Sequence, residues 1–220
     1  MNINIIYEDN DIIVCNKPAN VPTQTKNLRL EDMETKLKKY QAAKGEEPFI
    51  GIVHRLDQPV KGVMVFGKNK KATAILSKQV SERTIGKYYK AVAICKDKPL
   101  LEGTKGILEN YMDFDRKNNM AHICAKDDKG AKKAILEYEV LSCNGKRILF
   151  DIKLKTGRHH QIRLQMSEFG YPLLGDRKYG KSTENMPVAL CSYKINFSHP
   201  VTGKEMEFSM ESGFEEYLHD

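Results

Sequence analysis

One short stretch of the sequence surrounds a carboxylate with cations. In HRLDQPVKG, Asp57 closely follows His54 and Arg55, and Lys61 comes after it in the same stretch. Cationic neighbours favour the ionised form of a carboxyl group, and an ionised carboxylate can act as a nucleophile. A simple ion pair between Asp57 and Arg55 is the alternative, with no chemistry attached. The spacing of these residues leaves both interpretations open.

A second stretch, KTGRHHQIRLQMSEFGYPLLGDRKYG, is rich in basic residues. They include Arg158, His159, His160, Arg163, Arg177 and Lys178. The first four precede or begin a predicted helix, whose N-terminus favours anions. Adjacent histidines on a helix point about 100° apart, and no HExxH motif is present, so we expect no metal site. An RNA- or phosphate-binding surface and a solvated basic helix end remain the two interpretations.

A third stretch, GKYYKAV, places two tyrosines between lysines on a predicted strand. Strand alternation sends Tyr88 and Tyr89 to opposite faces, so one of them should pack in the core. The other could stack on a base, an interaction worth ~1–3 kcal/mol. Two ordinary strand aromatics are the alternative. No GxGxxG or GxSxG motif occurs, so the sequence does not support a dehydrogenase or a serine hydrolase.

The elements that must position these residues are mainly strands. A hairpin is predicted around the polar residues 8–11, and another around Asn144–Gly145, a favoured two-residue turn. Helical spacing follows Asn69, a plausible cap, and recurs in EDMETKLKKYQAAKG, in HHQIRLQMSEF and in the terminal FEEYLHD. The sequence therefore predicts one α+β domain over residues 1–220, with flanking helices around a mixed, mainly antiparallel sheet.

Composition restricts the partners and the compartment. The chain of 220 residues carries a formal charge of +7, which favours a polyanionic partner such as nucleic acid. Its five cysteines are odd in number and form no CxxC pair, as expected of reduced thiols. The N-terminus lacks the pattern of a signal peptide, and no apolar run approaches the ~18 residues of a membrane span. We expect a soluble cytoplasmic protein without a membrane partner.

Taken in chain order, four stretches resemble the successive motifs of the RluA-type RNA pseudouridine synthases. They are IIYEDNDIIVCNKPANVPT, HRLDQPVKGVMVFGKNKKA, KYYKAV and TGRHHQIRLQMSEFGYPLLGDRKYG. The resemblance extends over nearly the whole chain. It implies the fold of that family, a mixed and mostly antiparallel sheet with a central cleft. It also implies isomerisation of a uridine in ribosomal or transfer RNA, without a cofactor or a metal.

The resemblance also assigns roles to individual residues. The family's catalytic aspartate falls on Asp57, and its active-site tyrosine on Tyr89, beside Tyr88. The basic partner of the aspartate falls on Arg163, and Ile162 helps to line the pocket. The target uridine must leave the base stack, and Arg55 is the candidate to fill the vacated space. Further RNA contacts are expected at a basic rim, from Lys17, Lys61, Arg158, His160, Arg177 and Lys178.

The sequence departs from the family pattern at several positions. Val60–Lys61 stands where members usually have Thr-Ser, His159 replaces a threonine, and Gln165 replaces a common histidine. These changes put substrate preference in question, whereas the three principal site residues match. The matching pattern begins near Met1, so we expect no N-terminal S4 domain, and a monomer is the default. A catalytically inactive RNA-binding or rRNA-folding factor on the same scaffold is the alternative function.

Overall fold

The computed structural model describes residues 3–27, 29–95 and 98–219. Within these ranges the chain forms strands, three α-helices and one 3-10 helix, and it divides into two compact units. Unit one comprises Met1–Gly86 and Ser192–Glu211, and unit two comprises Lys87–Cys191 and Ser212–Asp220. The expectation of a single domain over 1–220 therefore stays a prediction.

Unit one is a sheet with two helices. Its elements are β1 (Asn4–Glu8), β2 (Ile12–Lys17), α1 (Met33–Ala43), β3 (Gly51–Ile52), β4 (Lys61–Gly67), α2 (Lys70–Glu82), most of β10 (Leu190–Ser198) and β11 (Glu205–Ser209). Strands β1, β2, β4 and β10 are successive neighbours, while β3 also pairs with β4 and β11 with β10. The pairs β1–β2, β2–β4, β3–β4 and β10–β11 are antiparallel.

The core of unit one forms because its central strands are apolar on both faces. Ile12 and Val14 of β2 are fully buried with Val63 and Val65 of β4. Leu76 of α2 packs into the same cluster, as expected from the spacing of apolar residues in that helix. Each helix begins at a residue whose side chain caps it. The Asp32 carboxylate accepts a hydrogen bond from the backbone amide of Thr35, and the Asn69 side chain accepts one from the backbone amide of Ala72.

One hydrogen-bond network joins two turns of unit one. The Asp9 carboxylate, in the β1–β2 turn, accepts hydrogen bonds from the backbone amide of Asp11 and from the Tyr7 hydroxyl. Nε2 of His199 lies 2.9 Å from the same carboxylate, and its Nδ1 accepts from the Thr202 amide. The His199 ring therefore donates through Nε2. This pair holds the β1–β2 turn against the turn that follows β10.

Unit two is an antiparallel sheet with one α-helix packed against it. Its elements are β5 (Gly86–Ile94, from Lys87 on), β6 (Lys105–Asp115), β7 (Met120–Cys124), β8 (Lys132–Cys143), β9 (Arg147–Leu154), α3 (Gln161–Glu168) and a 3-10 helix (Glu215–Leu218). The order β5-β9-β8-β6-β7 is built entirely from antiparallel pairs. Leu164 of α3 packs with Met112, Ala121 and Ala134 of the sheet.

The predicted α+β class with a mixed, mainly antiparallel sheet is confirmed, and one local prediction needs correction. Gly145, at φ +85°, and Lys146 form the β8–β9 turn, because the Asn144 amide bonds to the Arg147 carbonyl. The turn therefore lies one residue later than predicted, since the Asn144 side chain accepts from the following amides instead. The short terminal helix predicted in FEEYLHD is present as a 3-10 helix, Glu215–Leu218. Among the described residues, no helix is long and apolar enough to cross a membrane.

Candidate active site

Asp57 lies in a firmly held connection between β3 and β4 of unit one. Thr23 is 3% exposed, and its hydroxyl bonds both to the carbonyl and to the amide of Leu56. The Asp57 carbonyl then accepts the Val60 amide at 3.0 Å, which closes a turn. Asp57 itself is half-buried. The backbone on both sides of this carboxylate is therefore fixed by hydrogen bonds.

Lys17, at the end of β2, is an internal residue rather than part of an exposed rim. Its side chain is fully buried, and its ammonium donates to the carbonyls of Pro18, Val21 and Gln58 at 3.0, 2.6 and 3.1 Å. Burial lowers the pKa of Lys17 to about 8, and the charge of Asp57 opposes that shift. The predicted RNA contact of Lys17 is thus corrected: three carbonyls take its three donors and bring β2 against the residue after Asp57.

The other residues of the HRLD stretch differ in exposure. His54 is buried, and its Nε2 accepts the Val65 amide at 3.2 Å. Arg55 is exposed, and its guanidinium donates to Gln24 at 2.8 Å. Val60 is buried, whereas Lys61, the first residue of β4, is half-buried. Of the predicted RNA contacts in unit one, Arg55 and Lys61 therefore have surface exposure.

Two predicted pocket residues lie on the sheet and the helix of unit two. Tyr89 on β5 is buried, while Tyr88 is half-buried and has the Lys153 ammonium 5.4 Å from its ring centroid. The alternation predicted for this pair is observed, and Tyr89 is the more buried of the two. Ile162 is 5% exposed, within a run of buried residues that spans most of α3.

Arg163 is buried on α3 and paired with an acid that the sequence did not point to. Its Nε and Nη2 donate to the two carboxylate oxygens of Asp176 at 2.8 and 2.7 Å. Burial alone would raise the pKa of Asp176, but the hydrogen bonds and charge of Arg163 lower it below its usual range. The two residues are thirteen positions apart, in a helix and in a loop, so no periodic pattern connects them.

His160 is buried and neutral, not an exposed cation. Its backbone is left-handed at φ +54°, immediately before α3, and its Nδ1 lies 2.8 Å from the Tyr179 hydroxyl. Burial, then the charges of Arg163 and its other neighbours, lowers the pKa of His160 to about 3. The predicted RNA contact of His160 is corrected accordingly. His159 is the exposed histidine, and its ring centroid lies 4.1 Å from that of Phe114.

The remaining predicted RNA contacts lie at or near the surface of unit two. Arg158 is half-exposed and donates through Nε to the Lys133 carbonyl at 2.9 Å. Arg177 is exposed and bonds to Asn185 at 2.8 Å. Lys178 donates to the Asn119 carbonyl in the β6–β7 turn. These three cations therefore have surface positions that an RNA backbone could approach.

Comparison with known proteins agrees with the resemblance in the motifs. The sequence profile of a family described as RNA pseudouridylate synthase matches residues 11–168. An uncharacterized RNA pseudouridine synthase of Aquifex aeolicus is 35% identical over 230 residues, which cover 95% of this chain and 69% of that protein. A ribosomal large subunit pseudouridine synthase D of Borreliella burgdorferi is 34% identical, over 88% of this chain and 60% of that protein. The chain thus spans about two thirds of the length of these relatives.

Solved structures with low sequence identity share the fold. Human RNA pseudouridylate synthase domain containing 1 has a TM-score of 0.76 at 22% identity, over 99% of this chain and 86% of that one. Human RNA pseudouridylate synthase domain containing 4 has a TM-score of 0.73 at 20% identity, over 94% of this chain and 88% of that one. At these identities the likeness concerns the fold alone.

Proposed function

Because the chain belongs to the RNA pseudouridylate synthase family, a family of isomerases, we propose that it converts one specific uridine of a structured ribosomal or transfer RNA to pseudouridine. The observation that carries this proposal is the Asp57 carboxylate. It is half-buried in a loop whose backbone is fixed on both sides, within the segment that matches the family profile. A rigid loop is where a catalytic group is presented with a defined direction.

The chemistry suits an ionised carboxylate. In the isomerisation the N1–C1′ glycosidic bond of uridine breaks and a C5–C1′ bond forms, while C5 loses a proton and N1 gains one. Asp57 can serve by attacking the ring, by attacking the ribose or by taking a ribose proton. No electron is gained or lost by the substrate, so the reaction needs no redox cofactor, and the family correspondence leads us to expect no metal.

We assign the supporting roles by the same family correspondence. Arg163 is the basic partner that the family correspondence assigns to the catalytic aspartate, and Ile162 lines the pocket beside the base. Tyr89 stacks on the uracil ring and assists a proton transfer through its hydroxyl. The uridine must leave its stack, at a cost of a few kcal/mol in paired RNA, and exposed Arg55 fills the space left behind. Lys61, Arg158, Arg177 and Lys178 supply phosphate contacts.

The experiment that tests the function compares the wild type with Asp57→Ala. Unmodified ribosomal and transfer RNA, labelled with tritium at C5 of uridine, is prepared from cells that lack this gene. The wild type should release tritium and form pseudouridine at one position, whereas Asp57→Ala should be about 10⁴-fold slower or inactive, as for loss of other nucleophiles. Glu47→Ala, an exposed acid before β3, is the matched control and should keep full activity.

The outcomes separate the two functions predicted from the sequence. Wild-type protein that binds these RNAs without forming pseudouridine would be an RNA-binding or rRNA-folding factor, and the proposed enzyme would be rejected. Equal activity of the wild type and Asp57→Ala would reject Asp57 as the catalytic residue. Mapping pseudouridines in RNA from cells with and without the gene identifies the target. We expect a monomer that acts in the cytoplasm.

A further inference from the structure

Asp176 is the one acid that forms a two-point contact with a predicted active-site residue among the described ion pairs of unit two. The carboxylate meets Arg163 through Nε–Oδ2 at 2.8 Å and Nη2–Oδ1 at 2.7 Å. The side chains of Arg163 and Asp176 are only 7% and 1% exposed. A planar guanidinium held at two points by a buried carboxylate loses its freedom to rotate.

The carboxylate is itself rigidly held. Its Oδ1 also accepts the backbone amides of Lys178 at 2.9 Å and Tyr179 at 3.1 Å. The carbonyl of Asp176 accepts the amides of Gly180 and Ser182 at 3.0 and 3.1 Å. Asp176 is thus the centre of the GDRKYG turn, and it transmits the position of that turn to α3.

Tyr179, in the same turn, restrains Arg163 from a second side. Its ring centroid lies 5.3 Å from Cζ of Arg163, within the range of a cation–π contact. The Tyr179 hydroxyl accepts the Ala121 amide at 2.8 Å and also forms a 2.8 Å hydrogen bond with Nδ1 of His160. The hydroxyl end of Tyr179 is therefore held both by β7 and by the residue that precedes α3.

The contact with Asp176 determines which edge of the Arg163 guanidinium can bind a second anion. A guanidinium has five N–H groups, and Asp176 takes the Nε proton and one Nη2 proton. Any second anion must therefore meet the Nη1–Nη2 edge. Asp176 also balances the charge of Arg163, so the pair offers directed hydrogen bonds with little net charge.

We propose that Asp176 is a positioning residue of the isomerisation, whose bidentate contact aims the Nη1–Nη2 edge of Arg163 at the second anion. This inference rests on the proposed function, in which that anion is a negative charge that develops on the substrate during the reaction. Asp176 touches neither the RNA nor the reacting atoms. It acts through Arg163, by preventing the guanidinium from turning or shifting.

Asp176→Asn tests this role with little change in shape. The amide oxygen still accepts the two turn amides, but its NH₂ group cannot accept from Arg163. We expect single-turnover pseudouridine formation to fall about 10- to 100-fold, as for a catalytic group displaced by about 1 Å. The affinity for RNA should change by less than about threefold. Asp9→Asn, which alters the Asp9–His199 pair of unit one, is the matched control and should leave the rate unchanged.

A double-mutant cycle shows whether Asp176 acts through Arg163. A lysine cannot form the two-point contact, so Asp176→Asn should slow the Arg163→Lys enzyme by less than about threefold. Equal effects of Asp176→Asn in both backgrounds would overturn the proposal, as would an unchanged rate in the wild-type background. A purely structural role predicts instead a lower melting temperature with weaker RNA binding and an equal loss in both backgrounds.

Asp176→Glu serves as the second variant should Asp176→Asn fail to fold. It keeps the carboxylate but moves it by one methylene, so we expect a slower enzyme with wild-type RNA affinity, and a wild-type rate would reject the proposal. Failure of the proposed function is distinguishable, because wild-type protein would then form no pseudouridine at all. An active wild type with an equally active Asp176→Asn variant rejects only the positioning role.

Discussion

Single residues in unit two change their chemical character through burial. His160 belongs by type to a cluster of cations, yet it is 7% exposed and bonded to Tyr179. The surrounding Arg163, His159 and Lys178 oppose a further positive charge, whereas Asp176 favours it. The ring therefore stays neutral and holds Tyr179, which in turn packs on Arg163.

This environment predicts a measurable pH dependence of stability. The pKa of His160 is about 3 in the folded chain and 6.5 ordinarily, so between these values the unfolded chain binds a proton that the folded chain does not. The contribution of His160 to the free energy of unfolding is therefore fully present above about pH 6.5 and is lost as the pH drops toward 3. His160→Asn lacks this contribution. Its free energy of unfolding should therefore fall less steeply as the pH decreases, by up to about 1.4 kcal/mol per pH unit.

Urea unfolding at several values between pH 6 and pH 4 checks the prediction. Asparagine tolerates the left-handed backbone of position 160, at φ +54°, so the comparison concerns the ring and not the turn. A constant offset between the two proteins is acceptable, since only the slopes are compared. Identical slopes for wild type and His160→Asn would contradict a neutral, buried His160.

At the scale of elements, close strand packing explains a glycine beside the proposed active-site loop. Gly62, the second residue of β4, has φ +150°, and a Cβ there would lie 2.5 Å from both Cβ and the carbonyl oxygen of Ser192 on β10. Any side chain would push β4 and β10 apart. This close approach therefore fixes the position of β4, which begins at Lys61, against β10.

We predict that Gly62→Ala destabilises the protein by about 3 kcal/mol or more, through overpacking and backbone strain. Gly45→Ala is the matched control, since Gly45 also has a positive φ, +75°, but a Cβ added there would meet no atom within 4 Å. Gly45→Ala should lower the free energy of unfolding by only about 1–2 kcal/mol, the cost of a left-handed backbone at a residue with a side chain. Urea denaturation midpoints measure both values.

A further substitution distinguishes side-chain from backbone crowding. Ser192→Gly should rescue Gly62→Ala only in part, because the backbone nitrogen and oxygen of Ser192 also lie 2.7 and 2.5 Å from the added carbon. Full rescue would show that the Ser192 side chain alone requires the glycine. Equal destabilisation by Gly62→Ala and Gly45→Ala would show that packing between β4 and β10 contributes nothing.

At the scale of the whole molecule, the excess of positive charge favours RNA by releasing counterions. The formal charge of +7 is spread over 36 lysines and arginines against 29 acids. Many of these charges are already paired, as in Lys105–Glu139 and Lys155–Glu137 on unit two. Binding to RNA should therefore depend on a small subset of exposed cations.

We predict that RNA affinity falls as salt rises, and that Arg177→Ala reduces the slope of log K against log salt concentration by roughly one. Lys70→Ala, an exposed cation at the start of α2, is the control and should leave the slope unchanged. Filter binding or fluorescence anisotropy at several salt concentrations provides the measurement. A slope for Arg177→Ala equal to that of the wild type would exclude Arg177 from the RNA contact.

The sequence by itself determined the family, the fold class and the order of the elements. Strand alternation separated Tyr88 from Tyr89, and the caps at Asp32 and Asn69 began their helices as such residues do. These features depend on neighbours along the chain. The motif around Asp57 likewise needs only short spacing to be recognised, so its proposed role came from the sequence.

Only the tertiary structure decided how the long-range pairs are made. Lys17 and His160 were expected at a basic rim, but packing buried both, because burial depends on residues distant in the chain. The Arg163–Asp176 contact joins a helix to a loop through side chains alone, and no local pattern encodes it. Charge and residue type indicate which groups can do chemistry, whereas three-dimensional packing decides which of them are ionised, held and aimed.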